Sequence, residues 1–355
     1  MMKRICLVGQ LPPPVHGLSK ALQTIINSKL FNEKYDLSYV DIKDNKKIAA
    51  HINKVESIDV DIYYFTISQT KMGNLRDMFI LWRLLRKKKR VVIHYHGGYY
   101  KELYKQFNPV QRMMNRKLLS RIDIMIVLSD GLRDLFAGLL SPEQIRVCEN
   151  CIEDDVLLSE TEFEAKLNQL SAGKEQLDVL YLSNFIKSKG YFDLLLAARQ
   201  LKDNPVHFHF AGKFYNAQDE KEFFDFVKHH QLENSVRYYG IVAGESKKEL
   251  LARCDVFALP TYYPNEGQPI SIIEAMGNGL TIISTKHAGI PDIVTSHNGF
   301  LVQPQNPDAL ASAITGLLAD RSQLTAFARE NRSKTLKNFK EIDYINRLEV
   351  IMDEV

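Results

Sequence analysis

The chain has 355 residues, of which 45% are hydrophobic and 25% are charged, and its formal net charge is +3. This length holds two domains of ordinary size, and the composition is that of a folded globular protein, which excludes a largely disordered chain. No apolar run approaches the roughly 20 residues that a membrane-spanning helix needs. The apolar core before Gln10 has five residues, too few for a signal peptide, so we expect a cytoplasmic protein.

Charge is distributed unevenly along the chain. Residues 1–150 carry 25 Lys and Arg against 14 Asp and Glu, whereas residues 151–355 carry 21 against 29. The basic first half is expected to face something anionic. Two segments that mix basic and apolar residues, 79–90 and 112–121, either dock on an anionic membrane surface or are solvated helix ends. No nucleic-acid-binding module accompanies the charge, so nucleic acid is not a predicted partner.

Apolar runs alternate with amphipathic segments along the first 150 residues. Strands are predicted over 4–8, 62–65, 91–95, 124–128 and 145–147, and helices over 18–26, 74–85, 101–119 and 131–139. Such alternation favours a parallel sheet covered by helices on both faces. The segment 153–176, by contrast, is charged and polar with little strand pattern, and we predict that it is an interdomain linker.

The same alternation resumes in the second half of the chain. Strands are predicted over 179–182, 207–211, 236–239, 256–259 and 281–285, and helices over 191–201, 220–230, 308–319, 322–336 and 342–355. The sequence therefore predicts a second α/β domain with a parallel sheet.

The segment from Glu266 to Asp292 has the most informative pattern in the chain. Glu266 and Glu274 are separated by seven residues, and the residues between them supply an apolar helical face. Small residues then end the helix before an apolar run that is typical of a buried strand. We expect Glu266 in the loop before the helix and Glu274 about two turns into it. Gly267 allows the backbone to approach a ligand closely, and the N–H groups of a helix start suit a phosphate.

This pattern resembles the nucleotide-sugar site of the retaining glycosyltransferases of family 4, in which Glu, seven residues and Glu are followed by Ala-Met, small residues and a glycine-rich turn. The resemblance implies the GT-B fold, with two Rossmann-like α/β domains that face each other across a cleft and a C-terminal helix that crosses back to the first domain. We therefore expect domains at 1–152 and 177–338, a linker at 153–176 and the returning helix at 339–355. In that family the first Glu lies by the donor sugar and the second binds ribose hydroxyls.

Short motifs at the ends of other predicted strands extend the resemblance. His96 follows the third predicted strand and matches the family's active-site histidine, and Lys189 matches a lysine that would neutralise the donor diphosphate. Asn184 stands where the family usually has arginine, which is a departure from the pattern. The resemblance assigns catalysis to His96, Lys189 and Glu266. It assigns donor binding to Gly17, Asn184, Lys189, Gly212, Gly267, Gln268, Pro269, Ile270 and Glu274.

Two further motifs suggest chemistry that the rest of the sequence does not support. Cys148 and Cys151 have the spacing of a redox or zinc motif, but no second cysteine or histidine pair accompanies them, and we expect reduced thiols. Asp59 and Asp61 resemble a metal-binding Asp-x-Asp motif, but they directly precede a predicted strand and are interpreted as its turn. We therefore predict no catalytic metal.

The resemblance implies that a hexose-type sugar is transferred from a nucleotide-diphosphate sugar, with UDP or GDP as the nucleotide, to a hydroxyl group with retention of anomeric configuration. The expected acceptor is a lipid-linked or oligosaccharide glycan of bacterial surface polysaccharide synthesis, of the capsule or O-antigen type, at the inner face of the cell membrane. Two alternatives remain open. A sugar-nucleotide epimerase or hydrolase of the same architecture would turn over the donor without an acceptor. A non-catalytic, membrane-associated binding protein would bind the donor and not turn it over.

Overall fold

The structure, a computed structural model, describes residues 2–12, 17–44 and 47–355. The chain forms two compact units. The first comprises Met1–Asn150 and Glu341–Val355, and the second comprises Cys151–Lys340. Each unit contains one six-stranded sheet.

The sheet of the first unit consists of parallel strands. They are β1 Lys3–Gly9, β2 Tyr35–Asp41, β3 Ile62–Thr66, β4 Arg90–His94, β5 Ile124–Val127 and β6 Ile145–Val147. Their order in the sheet is β2-β1-β3-β4-β5-β6. The order reverses at β1, and the carboxyl ends of strands at such a reversal are where open α/β sheets bind ligands.

Among the described residues of the first unit, six α-helices lie before β6 in the chain. They are α1 Gly17–Asn27, α2 Lys29–Lys34, α3 Ile48–Ser57, α4 Lys71–Arg86, α5 Tyr100–Lys105 and α6 Pro109–Leu119. The single helix predicted over 101–119 is wrong, because Asn108 caps α6 by accepting a hydrogen bond from Gln111 and Pro109 disfavours helical backbone at the residue before it. The helix predicted over 131–139 is instead a 3₁₀ helix, Asp130–Phe136.

Three elements of the first unit, α2, β2 and α3, are absent from the sequence prediction. β2 pairs with β1 alone and forms the edge of the sheet, so Asp36 and Tyr39 are exposed and only Tyr35 and Val40 are fully buried. An edge strand of this kind lacks the continuous apolar run by which the central strands are recognised.

The sheet of the second unit is also parallel throughout. Its strands are β7 Leu177–Leu182, β8 Val206–Ala211, β9 Val236–Tyr238, β10 Val256–Leu259, β11 Thr281–Thr285 and β12 Gly299–Val302. They lie in the order β12-β11-β10-β7-β8-β9. The order reverses at β7, so the loops that follow β7 and β10 leave neighbouring strands at the switch point of the sheet.

Eight helices surround this second sheet. They are α7 Glu160–Ala172, α8 Tyr191–Gln200, α9 Ala217–His229, α10 Gly244–Arg253, α11 Ile270–Gly277, α12 Ile290–Ile293, α13 Pro307–Ala319 and α14 Ser322–Asn338. Helix α7 corrects the prediction of a linker at 153–176. It begins at a capping box formed by Ser159 and Glu162 and buries Phe163 and Leu167 in the core of the second unit.

The last helix, α15 Glu341–Asp353, belongs to the first unit. Asp353 accepts hydrogen bonds from Lys34 at 2.7 Å and from the Tyr35 hydroxyl at 2.9 Å. The bond from Lys34 is the main reason that the pKa of Asp353 is lowered. Leu348 is completely buried, so α15 is an integral part of the first unit.

Among the helices described, none combines the length and the apolar character that crossing a membrane requires.

Candidate active site

Two loops meet at the switch point of the second sheet. The loop after β7 carries Lys189, and the loop after β10 carries Glu266. Tyr262 N–H donates to the Ser188 carbonyl at 2.7 Å, which joins the two loops beside these side chains. Lys189 and Glu266 are thus brought together by loops that follow neighbouring strands of the second sheet.

Gly190 fixes the close approach of these loops. It has a positive φ of 79°, and a Cβ added to it would lie 2.3 Å from the Pro260 carbonyl oxygen. A residue with a side chain would both strain the backbone and separate the loops. Lys189 is therefore placed next to the β10 loop by the absence of a side chain at the following position.

Replacing Gly190 with Ala is expected to destabilise the protein by about 2–5 kcal/mol, from about 1–2 kcal/mol of backbone strain and about 1–3 kcal/mol of steric overlap. Gly173 is a matched control, because its φ is 76° and nothing lies within 4 Å of an added Cβ. Gly173→Ala should lower the free energy of unfolding only by the contribution of backbone strain, about 1–2 kcal/mol. Chemical denaturation measures the free energy of unfolding of both variants. An equal decrease of that free energy in the two variants would contradict this role of Gly190.

Lys189 and Glu266 form an ion pair at the junction. Lys189 Nζ lies 2.7 Å from Glu266 Oε2, and the side chains are 13% and 8% exposed. Thr261 Oγ1 donates to the same carboxylate oxygen at 3.1 Å, and Lys189 Nζ also lies 4.9 Å from the centre of the Tyr263 ring. The pair thus offers a cation for an anionic group and a carboxylate that accepts hydrogen bonds from hydroxyl groups, both largely removed from water.

The second glutamate, Glu274, is the fifth residue of α11 and therefore lies just over one turn into the helix, not two. Its Oε1 lies 2.8 Å from Nζ of Lys247 on α10, and the two side chains are 6% and 12% exposed. Lys247 is not among the site residues predicted from the sequence. A lysine in a charged, amphipathic segment ordinarily indicates a solvated helix face, and no spacing in the sequence links it to Glu274.

The carboxyl end of α11 is held by buried polar groups of α7 and α14. Asn278 follows the helix and donates to the Glu274 carbonyl at 2.8 Å, and Lys166 donates to the Asn278 carbonyl at 2.9 Å. Arg332 donates to the Gly277 carbonyl at 2.7 Å. Because these donors satisfy the free carbonyls of the last turn, the helix that carries Glu274 has a fixed position in the second unit.

Three residues, Gly267, Gln268 and Pro269, lie between Glu266 and the start of α11. Gln268 is 3% exposed, and the Gly267 carbonyl accepts a hydrogen bond from Gly289 N–H at 3.0 Å. Pro269 precedes Ile270, the first residue of α11, and has no side chain that can cap the N–H groups of the first turn. An uncapped helix start of this kind has N–H groups suited to an anionic ligand.

Gly212 and Asn184 lie on the other side of β7. Gly212 follows β8 with a φ of 144°, and an added Cβ would lie 1.9 Å from the Ser183 carbonyl oxygen, so it allows the loops after β7 and β8 to approach each other. Asn184 is exposed, and its carbonyl accepts a hydrogen bond from the Tyr181 hydroxyl at 2.9 Å. Their predicted roles in donor binding stay predictions.

The remaining predicted residues, Gly17 and His96, lie in the first unit. Gly17 is the first residue of α1, and residues 13–16 of the loop before it lie outside the described residues. His96 stacks on His94 with ring centres 3.9 Å apart, and His94 Nδ1 lies 2.5 Å from the Tyr64 hydroxyl. Burial, with a smaller contribution from His96, lowers the pKa of His94 well below its ordinary value, so His94 is a neutral ring packed beneath His96.

No group of three or more His, Cys, Asp or Glu residues is arranged to hold a metal ion within 2–12, 17–44 and 47–355. Asp59 and Asp61 both pair with Arg4 at the start of β3, as the interpretation of this motif as a turn predicts. Cys148 is buried, which raises the pKa of its thiol to about 12, so it is held in the unreactive thiol form. The absence of a catalytic metal stays a prediction.

Comparison with known proteins finds similarity to one family of transferases. Residues 162–334 match the family described as Glycosyl transferases group 1. Over 311 residues the chain is 26% identical to WcaL of Salmonella typhimurium, named for colanic acid biosynthesis, a match that covers 84% of this chain and 71% of the relative. It is 23% identical over 320 residues to the amylovoran biosynthesis glycosyltransferase AmsK of Erwinia amylovora, covering 87% and 73% of the two chains.

Solved structures show the same fold. The chain matches the crystal structure of Anabaena HepE in complex with UDP and glucose with a TM-score of 0.78 and 18% identity, covering 99% of this chain and 100% of that one. A sucrose-phosphate synthase from Thermosynechococcus elongatus matches with a TM-score of 0.76 and 16% identity, covering 99% and 98%. With its two parallel sheets, the chain has the GT-B fold, which confirms the predicted fold class.

Proposed function

We propose, from the match of residues 162–334 to the group 1 glycosyl transferases, that this chain moves a sugar from a nucleotide-diphosphate sugar to a hydroxyl group with retention of configuration. The observation that carries this proposal is the Lys189–Glu266 pair, 2.7 Å apart and largely buried at the switch point of the second sheet. A buried cation beside a carboxylate suits an anionic leaving group that is attached to a sugar rich in hydroxyls.

The donor is proposed to lie along the loops after β7 and β10 and the start of α11. Lys189 and the first-turn N–H groups of α11 bind the diphosphate, and Glu266 accepts a hydrogen bond from a hydroxyl of the donor sugar. Glu274 accepts hydrogen bonds from the ribose. UDP and GDP are the proposed nucleotides, and the complexes of HepE with UDP support a uridine nucleotide as the first to test. His96 and Gly17 are proposed site residues of the first unit.

Catalysis rests mainly on stabilisation of the departing diphosphate. The bond between the anomeric carbon and the phosphate oxygen breaks while the acceptor oxygen bonds to the same face of that carbon. The acceptor proton passes to the leaving phosphate oxygen, and no covalent enzyme intermediate forms. Lys189 acts where negative charge develops, and an interaction that strengthens in the transition state raises kcat.

The acceptor is proposed to be a lipid-linked glycan of bacterial polysaccharide synthesis. WcaL and AmsK are named for the biosynthesis of colanic acid and amylovoran, which supports a place in the assembly of a surface polysaccharide. A lipid-linked acceptor would require the enzyme to work peripherally at the inner face of the cell membrane.

A surface of the first unit supports membrane docking. Helices α4 and α6 contact each other, and Gln111 on α6 donates to the Lys71 carbonyl at 3.1 Å. Beside this contact, Met72 is 74% exposed and Met113 is 64% exposed. The apolar side chains are flanked by exposed basic residues of α6, namely Arg112, Arg116 and Lys117. Apolar side chains among basic ones are suited to an anionic lipid surface.

The double variant Met72→Glu/Met113→Glu is expected to bind vesicles of phosphatidylcholine and phosphatidylglycerol at least about tenfold more weakly than the wild type, because apolar burial is lost and charge is reversed. Val350→Glu, at a 62% exposed position on α15, is the matched control and should bind normally. Cosedimentation with the vesicles measures the binding of the double variant and of the control. Equal binding of wild type and double variant, or binding of wild type to neutral phosphatidylcholine alone with the same affinity, would contradict docking through this surface.

An assay of nucleotide release separates the proposed function from its alternatives. The wild type is incubated with UDP-, GDP-, ADP- and dTDP-sugars in EDTA, with and without octyl glycosides as acceptors. Nucleotide release that requires an acceptor supports a transferase. Retention is supported if NMR shows that the transferred sugar has the same anomeric configuration as in the donor. Release or rearrangement without any acceptor would favour an epimerase or hydrolase, and binding without turnover would favour a binding protein.

A further inference from the structure

Lys247 is the one lysine of the candidate site that neither the sequence pattern nor the proposed chemistry explains. Its Nζ lies 2.8 Å from Glu274 Oε1, and a second carboxylate oxygen, Glu153 Oε2, lies 3.9 Å away. The Lys247 side chain is 12% exposed, whereas that of Glu153 is 38% exposed. The principal partner is therefore the buried carboxylate of Glu274.

A buried ion pair is a poor way to join two helices. Removing a carboxylate and an ammonium from water costs more free energy than their attraction usually returns, so well-packed apolar residues would link α10 and α11 at least as well. The pair also stands out from the other contacts of α11, where buried cations donate to backbone carbonyls of the last turn. Lys247 instead engages the side chain proposed to bind ribose. This location favours a role in ligand binding over a purely structural one.

We propose that Lys247 is a positioning residue of the donor site. It holds the Glu274 carboxylate in one orientation, so that the carboxylate accepts hydrogen bonds from the ribose hydroxyls of a nucleoside diphosphate. The proposal rests on the proposed function, and in particular on the role of Glu274. Lys247 balances the charge of Glu274, so the nucleoside end of the site does not repel an incoming diphosphate.

The Lys189–Glu266 and Lys247–Glu274 pairs consequently have different kinetic roles. The Lys189–Glu266 pair acts where bonds break, and its loss lowers kcat. Lys247 acts only on the nucleoside, which is bound equally in the ground state and in the transition state. Loss of Lys247 should therefore raise KM and leave kcat nearly unchanged.

The test compares Lys247→Met with Lys248→Met. Lys248 is the next residue in α10 and is 19% exposed, but it pairs with Glu162 at 3.1 Å and not with Glu274. Calorimetry with UDP and with 2′-deoxy-UDP measures affinity and the preference for ribose. GDP and ADP with their 2′-deoxy forms replace them if the wild type binds one of those diphosphates instead.

In wild type and Lys248→Met we expect UDP to bind at least about tenfold more tightly than 2′-deoxy-UDP, because a site that pairs with a hydroxyl rejects a ligand that lacks it. In Lys247→Met we expect the affinity for UDP to fall about tenfold or more and the preference for ribose to shrink to within about threefold. Lys247→Arg should keep most of the affinity for UDP and most of the preference for ribose, because arginine retains a cation at this position. A purely structural link between α10 and α11 would not change the ribose preference selectively.

The inference fails if Lys247→Met keeps the affinity and the ribose preference of the wild type, or if it lowers kcat as much as Lys189→Met. Lys247→Gln takes the place of Lys247→Met if the latter does not fold, because it is uncharged and can still donate a hydrogen bond. Failure of the proposed function is distinguishable, since the wild type would then bind none of UDP, GDP and ADP.

Discussion

The variant Glu266→Gln is expected to lose nearly all transfer activity, with kcat lower by about 10³-fold or more. Glutamine has almost the same shape and can still accept the hydrogen bond from Thr261, but it removes the negative charge beside Lys189. Glu266 is also the carboxylate proposed to hold a hydroxyl of the donor sugar. Steady-state kinetics with a saturating donor measures kcat, and calorimetry measures whether the donor still binds within about threefold of the wild-type affinity.

Glu274→Gln is the matched comparison for this variant. Both glutamates are nearly buried and both pair with a lysine, yet Glu274 is proposed to bind the nucleoside and not the reacting sugar. Its loss should raise KM for the donor and change kcat by less than about threefold. Equal losses of kcat in the two variants would contradict the division of roles. A glycosyl adduct on Glu266, detected by mass spectrometry, would contradict the mechanism without a covalent intermediate.

Lys189→Met is expected to lower kcat by about 10²–10³-fold with a smaller effect on donor affinity. The ammonium group is proposed to neutralise charge that builds on the diphosphate only as the sugar departs, and such interactions raise kcat when present. Methionine keeps an unbranched apolar side chain of similar size but removes the ammonium group, and with it the cation–π contact with Tyr263. The same kinetic assay measures the loss.

Lys187→Met is the control, two residues away in the same loop. The Lys187 side chain is 53% exposed and pairs with Glu222 on α9 at 2.7 Å, so it is part of the solvated surface. We expect its replacement to change kcat by less than about twofold, as is usual for an exposed ion pair. If Lys187→Met is as inactive as Lys189→Met, then the leaving group is not stabilised by the buried lysine alone.

The sequence predicts the second sheet well because its central strands are buried on both faces. β10 is a continuous apolar run and β11 is a buried run rich in β-branched residues, and the segment between them contains both glutamates. The same reasoning misses β2, whose edge position leaves five of its seven residues exposed or partly exposed. It also misses α7, because charged residues cover its outer face and only a few apolar side chains reach the core.

Residues of the candidate site can be predicted from the sequence where the local backbone geometry restricts the residue type. They cannot be predicted where a long side chain contacts the site from a different helix. Gly190 and Gly212 are required by positive φ values and by backbone within 2.3 Å of an added Cβ, so their positions after strands are informative. The pairing of Lys189 with Glu266 follows from the adjacency of β7 and β10 in the sheet. Lys247 reaches Glu274 from a different helix, and its type and position in the sequence are those of an ordinary surface lysine.

The measurement that tests the proposed donor site most directly is the binding of UDP-, GDP-, ADP- and dTDP-sugars by calorimetry in EDTA, with wild type and Glu274→Gln side by side. We predict that the wild type binds one class of nucleotide sugar selectively without metal, and that Glu274→Gln binds it at least about tenfold more weakly. Binding of no donor by the wild type, or equal binding by the two proteins, would contradict a nucleotide-sugar site built around Glu274.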